Sequence, residues 1–408
     1  MIESFNIIVI GGGAAGFFAA LTAKKTNPSA SVLLLEKSSH LLNKVRISGG
    51  GRCNVSHACF DPVQLAQNYP RGGKALIGPF TRFQPRDTVL WFESRGVELK
   101  TESDGRMFPV SDSSQTIIDC LLQEAKKLTV EVRTRQLVES INKNESRFRI
   151  ALASGGGLEC DALLLATGSS PQGYAFAKAF GHTIQEPVPS LFTFNVPAFS
   201  LKDLAGISVE QATLHIVGSD FSQKGPLLIT HWGFSGPAAL KLSAWGARWL
   251  NEKNYHVQLS IDWLPDLSNE RTIDLLRALR KESPAQCVAN KNPFYLPKNL
   301  WKRLVDLSGI DSGKRLSEIG NEGLARLCSR LKADVYSVEG KTTHKEEFVT
   351  CGGVALDEIN FKTMESRLCK RLFFAGEVLD IDAVTGGFNF QNAWTTGWLA
   401  GHAMASPS

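Results

Sequence analysis

Three glycine-rich stretches carry residue types that can grip and tune a nucleotide-linked redox group. The first, Gly11-Gly12-Gly13-Ala14-Ala15-Gly16, follows the apolar run Phe5–Ile10, and Glu36, twenty residues after Gly16, ends the apolar run Val32–Leu35. In a strand–turn–helix setting Gly11 allows the tight turn, Gly13 lets backbone N–H groups approach a pyrophosphate, and Gly16 lets the helix lie close to the strand. Glu36 can then accept from an adenosine ribose hydroxyl, while the helix N-terminus adds partial positive charge at the phosphates. In the second stretch Gly49, Gly50 and Gly51 are flanked by Arg46, Ser48, Arg52, Cys53 and Asn54. Three glycines make a poor helix but suit a loop wrapped around an extended ligand, with backbone N–H groups and two guanidinium forks as donors. The third runs from Gly376-Glu377 through Asp382 to Gly386-Gly387-Phe388-Asn389. A strand end, a loop bearing carboxylates and a glycine pair opening a helix can together stabilise negative charge at one edge of a reduced flavin. Asp382 could hold the ribityl chain or orient the loop.

Candidates on the substrate side are His231 and two cysteines. His231 precedes Ser235-Gly236-Pro237, which leads into a helix. It could donate a proton, or pack locally while Ser235 caps that helix and Pro237 fills its first turn. Cys53 and Cys351 lie in glycine-rich loops without a CxxC partner, so a buried structural thiol competes with a redox role for each. Trp232, Trp245 and Trp249 are expected to pack rather than stack on a ring.

The elements that must position these groups alternate as strand and helix at first. Helices are expected over 86–95, 114–128 and 172–180, strands over 130–152, and a buried parallel strand over Ala162–Leu165 ending in Ala166-Thr167-Gly168. Residues 37–60 read as one long loop. Pro187-Val188-Pro189 marks an exit to a β-rich segment (191–267, with 333–345), and 268–332 reads as a small helical unit. From 346 the pattern returns to strand and Gly-rich turn, then to a helix beginning near Gly387. The nucleotide-binding domain is therefore expected to be discontinuous, 1–190 plus 346–408, around an insert.

Composition narrows the class. A chain of 408 residues with 43% hydrophobic and 21% charged residues suits a globular protein of two or three domains. Its net charge of +5 comes from scattered cations, which makes nucleic acid an unlikely partner and a small molecule the expected one. The eight cysteines show no metal-ligand spacing, so no metal is expected. Free thiols and the absence of an apolar span or export signal point to the cytoplasm. Oligomeric state is not legible.

Taken together, Gly11–Gly16 with Glu36, Ile47–Asn54, Ala166–Gly168, Thr230–Pro237, Thr350–Val354 and Ala375–Asn389 closely resemble the YhiN/BaiN-like flavoproteins over nearly the whole chain. The resemblance implies noncovalent FAD and a glutathione-reductase-like Rossmann domain. It also implies an inserted β-barrel-like unit with a small helical unit. It maps cofactor contacts onto Ala15, Glu36, Lys37, residues 48–54, Val138, Thr167, Gly168, Glu377, Asp382 and Phe388–Asn389. Ser169-Ser170-Pro171 stands where relatives commonly have a glycine or a different small residue. No second GxGxxG follows a strand, so NAD(P)H is expected to bind transiently as reductant, or electrons to come from another carrier. The expected activity is hydride transfer through flavin N5 to a small organic substrate, such as an activated C=C bond. Two alternatives stand: a flavin-dependent RNA-modifying enzyme, for which 291–303 and 314–332 hold several cations, and a noncatalytic flavin-binding protein.

Overall fold

A computed structural model describes residues 2–342 and 349–406, and the expected domain boundary at 345/346 lies outside the described residues. The chain divides into two compact units, Met1–Val188 with Lys345–Ser408, and Pro189–His344.

The first unit is built on a parallel sheet. Ile7–Ile10 pair in register with Val32–Leu35 on one side and Ala162–Leu165 on the other. All these residues are buried, as unbroken apolar runs must be when helices cover both faces of a sheet. Leu372–Phe374 joins beyond the strand Gly157–Leu165, and Glu131–Arg133 beyond Val32–Leu35, both in parallel. A late segment of the chain thus completes the sheet that the first residues begin. An antiparallel hairpin, Val138–Lys143 with Phe148–Leu152, attaches to the first half of Gly157–Leu165. Helices Ala14–Thr26 and Phe388–Ala405 pack together without a Cβ at two contacts. A methyl added at Gly397 or Gly401 would lie 2.6 or 2.5 Å from the carbonyl oxygens of Ala15 and Ala19.

Residues 43–51 differ from the expected loop. Asn43–Ile47 start a helix, and Ser48 (ψ 149), Gly49 (φ +59) and Gly50 (φ +67) leave helical geometry. The glycines do break the helix, but only after more than one turn has formed.

The second unit carries one antiparallel sheet in which Asp334–Glu339, His256–Asp262, Ser208–Ile216, Ser222–Ile229, Gly233–Ser235, Thr193–Asn195 and Lys341–Thr342 are successive neighbours. The outermost members are separated in sequence only by Gly340, so the sheet must curl until its edges meet, a barrel-like form. Helices Asn269–Glu282, Lys298–Leu307 and Asn321–Lys332 share one apolar core with it, including Phe234, Trp263, Trp301 and Leu327. The β-rich and helical pieces distinguished by composition therefore lie in a single compact unit.

Candidate cofactor site

The first unit gathers most of the candidate residues at the carboxyl ends of its parallel strands. Gly11 has φ +116, and a Cβ there would sit 2.2 Å from the Ala166 carbonyl oxygen. Gly16 is held as tightly: its Cβ would meet the Gly11 carbonyl oxygen at 2.0 Å. Gly13 differs, with nothing within 4 Å of an added Cβ. It is the N-cap of helix Ala14–Thr26, which has no side-chain cap and no acid in its first turn. That leaves open space before unopposed positive helix-end charge. Glu36 accepts from the N–H groups of Gly12 (2.9 Å) and Ser38 (2.8 Å), which fixes its carboxylate beside the turn with lone pairs to spare.

Beside Glu36 and Gly11 a concavity is lined by Val138, Thr167, Gln172 and Phe176, with the exposed Lys37 at its edge. Gln172 donates to the Val138 carbonyl. Ala166 donates to the Ile10 carbonyl (2.9 Å), and Gly168 turns the chain at φ +58. The Thr167 hydroxyl is buried and, among the described residues, has no partner. Neither have the Tyr174 hydroxyl, the Thr350 hydroxyl or the Asn392 carbonyl oxygen. Orphaned buried polar atoms are rare in finished interiors; of these, Thr167 lines the concavity, where a polar ligand would satisfy its hydroxyl.

At the other end, Asn54, with its amide oriented to satisfy both neighbours, accepts from the Gly387 N–H (2.9 Å) and donates to the Ser56 carbonyl (3.0 Å). Gly387 is the N-cap of helix Phe388–Ala405, again without a side-chain cap. Phe388 stacks on His57 at 4.6 Å, and its carbonyl accepts from the Tyr69 hydroxyl at 2.6 Å. Asn389 holds both the N–H and the carbonyl of Ala383. Gly376 donates to Thr396, and Glu377 accepts from the Thr350 N–H and pairs with Lys44. The wholly buried Asp382 carboxylate is gripped by the Arg71 guanidinium through both oxygens, so its visible task is to fix the loop.

Other candidates are placed differently. The Arg46 guanidinium donates to Gln115 (2.8 Å) and Arg52 to Glu102 (2.7 Å), the latter lying 4.0 Å over the Phe108 ring. Both forks hold protein acceptors. Cys53 is completely buried, and burial pushes its thiol up to about 12, against a lowering hydrogen bond from Ser48. A thiolate is strongly disfavoured there. His231 belongs to the second unit, exposed at the tip of the hairpin between Ile229 and Gly233, beside Trp232. Ser235 does not cap the helix that follows: Gly236 is the N-cap, Pro237 opens the helix, and the Ser235 hydroxyl accepts from Thr193. The supporting roles of Lys44, His57, Tyr69 and Arg71 carry no local sequence signal. Asn392 does stand in the helix that Gly387 opens.

This arrangement fits FAD: a bare helix N-terminus, an acid beside it, a concavity next to both with the orphaned Thr167 hydroxyl in its wall, and a second bare helix N-terminus at Gly387 in the same unit. The family profile described as "HI0933-like protein Rossmann domain" matches residues 5–403. The chain is 33% identical to a ribosomal RNA dihydrouridine synthase of Escherichia coli, with 97% of each chain covered. It is 28% identical to a 3-dehydro-bile acid delta(4,6)-reductase of Clostridium scindens, covering 97% of this chain and 98% of the other. Among solved structures, a 3-ketosteroid-delta4-(5alpha)-dehydrogenase of Rhodococcus jostii shares the fold at TM-score 0.52 and 13% identity, with 99% of this chain and 97% of that one covered. The chain belongs to the HI0933-like Rossmann-domain family, whose YhiN/BaiN-like motifs its sequence carries.

Proposed function

We propose that this flavin-dependent oxidoreductase saturates a carbon–carbon double bond conjugated to a carbonyl, and that its substrate is a uracil base in RNA. The single observation behind the substrate is the 33% identity, across 97% of both chains, to a relative named for making dihydrouridine in ribosomal RNA. The 28% identical relative is named for reducing a steroid double bond. Uracil C5=C6 and a steroid enone are the same chemical problem, an alkene made electron-poor by a carbonyl. The mild, scattered charge that spoke against nucleic acid does not decide the matter, because a folded chain can gather a few cations on one face.

Bound FAD supplies a hydride that can pass to the electron-poor carbon, the carbonyl taking up charge until a proton reaches the neighbouring carbon. The chain's own residues would hold and tune that group. The helix N-terminus at Gly13 would face the pyrophosphate and Glu36 the ribose. The concavity at Val138 and Thr167 would take the adenosine. The bare N-terminus at Gly387, fixed by Asn54 and by the Asp382–Arg71 pair, would favour negative charge at the ring edge. NAD(P)H would reduce the group from a transient site, and His231 is the candidate proton donor.

The test is anaerobic. The purified protein is reduced with NADH or NADPH, and reoxidation is followed with uridine-containing ribosomal RNA and, separately, with a 3-keto-Δ4 steroid. Reoxidation by RNA with a two-hydrogen gain on uridine is expected. Reoxidation by the steroid alone would move the substrate to small enones, and no flavin reduction by any donor would overturn catalysis. A His231→Ala enzyme with an unchanged pH–rate profile would remove His231 from the scheme.

A further inference from the structure

In the second unit, the loop before helix Lys298–Leu307 displays one aromatic ring almost wholly to solvent. Tyr295 is 95% exposed and held at φ +57, a left-handed conformation that a bulky side chain adopts only at a cost. The rest of the loop is braced. Asn292 donates to the Leu296 carbonyl (2.6 Å) and accepts from the Phe294 N–H (3.1 Å). Leu296 is buried, Phe294 packs on the buried Trp301 at 6.0 Å, and the Trp301 indole donates to the Val288 carbonyl. The loop's neighbours tie it to the core, while Tyr295 contributes nothing to that core. A lone exposed ring is ordinary on a surface; what sets Tyr295 apart is that a braced loop holds it out in a left-handed conformation.

The surrounding charge indicates what that is. From Ser283 to Val305 there is no acidic residue, while Lys291, Lys298, Lys302 and Arg303 are all present. Arg303 is taken by Asp203; the three lysines have no ion pair among the described residues. Lys298 is the first residue of its helix, and that first turn holds no acid. A cation there opposes the helix dipole, so helix stability does not explain it. The nearest flanking acids are Glu282 and Asp306, and Asp306 accepts from the Ser312 N–H.

We infer that Tyr295 is a stacking platform for an unpaired base of single-stranded RNA, with Lys291, Lys298 and Lys302 facing the phosphates. A braced, exposed ring in a stretch whose lysines form no ion pair among the described residues is the combination that binds single strands with little sequence preference. The inference rests on the RNA reading above and names the surface that would carry it.

The test uses the full-length, FAD-loaded protein and a fluorescein-labelled single-stranded RNA of mixed sequence, with its duplex as control. Tyr295→Ala is expected to weaken single-strand binding about five- to hundred-fold, the range for losing one base–aromatic stack, and Tyr295→Phe to retain it. Lys298→Gln with Lys302→Gln should make the log–log salt slope shallower by about 1.4. Wild type binding the strand while Tyr295→Ala binds equally well overturns the platform and leaves the RNA reading standing. Wild type binding no RNA at low salt removes both. Tyr295→Ala abolishing self-association of the protein, with RNA affinity unchanged, would reassign the loop to a protein contact and overturn the inference.

Discussion

The two glycine runs, 11–16 and 49–51, look alike as text and differ as structure. At Gly11 and Gly16 any side chain would enter a backbone carbonyl at 2.2 and 2.0 Å. At Gly50 and Gly51 nothing lies within 4 Å, and only the left-handed backbone (φ +67 and +84) favours glycine. Gly11 and Gly16 are glycine because strand and helix would otherwise separate; Gly50 and Gly51, because the chain must reverse its hand, while at Gly49 an added Cβ would also crowd the Phe108 ring at 3.0 Å and the Asn54 nitrogen at 3.1 Å. Packing tolerates no substitute, whereas a dihedral preference tolerates one at modest cost.

Gly16→Ala should have the largest effect, about 4 kcal/mol or more, because the obstruction is backbone and cannot swing away. We expect little folded, yellow protein; Gly16→Ala with unchanged FAD content and melting temperature would erase the contrast. Asp382→Ala comes next, at about 3 kcal/mol by urea denaturation, since it strands the Arg71 charge, itself only 11% exposed, in the interior. That change sharpens the comparison by showing that the third stretch, 376–389, needs a side-chain pair as well as its glycines, since a Cβ at Gly387 would lie 2.4 Å from the Ser56 carbonyl oxygen. Gly50→Ala should lose about 1–2 kcal/mol, the cost of a left-handed L-residue, and keep its FAD. Loss of cofactor there would mean that the second run is also sterically closed.

The smallest effect expected is that of Cys53→Ser, read at alkaline pH. The folded thiol is raised by burial to about 12, above the unfolded value of about 8.5. Its contribution is therefore complete below that unfolded value and is lost as pH rises toward 12. Wild type should lose about 0.8 kcal/mol relative to Cys53→Ser by pH 9. The flavin spectrum and turnover should be unchanged at pH 7; a long-wavelength band lost in Cys53→Ser would restore the thiol to the redox chemistry.

What could be read from the residues followed from how local each cause is. Gly11, Gly13, Gly16 and Glu36 act through neighbours fixed by a strand–turn–helix, and the apolar runs at 7–10, 32–35 and 162–165 announce a covered parallel sheet. Arg46 and Arg52 were legible as donors but not in their destinations, because Gln115 and Glu102 lie 69 and 50 positions away. Asp382 was legible as an acid on a turn, whereas Arg71, 311 positions distant, was not. The helix at 43–51 was hidden because its glycines outweigh the few residues that start it. Tyr295 stood in an ordinary Pro- and Asn-rich loop, where nothing in the letters separates a displayed ring from a tucked one.

The seam at Gly397 and Gly401 has a consequence for biosynthesis. Helix Ala14–Thr26 leaves the ribosome long before helix Phe388–Ala405, which covers it. Until residues 388–405 emerge, that helix lacks its cover and the second bare helix end does not exist, while residues 189–344 can already collapse on their own core. Cofactor loading would then wait for residues 388–405, and a translational pause before codon 388 should yield a colourless nascent chain.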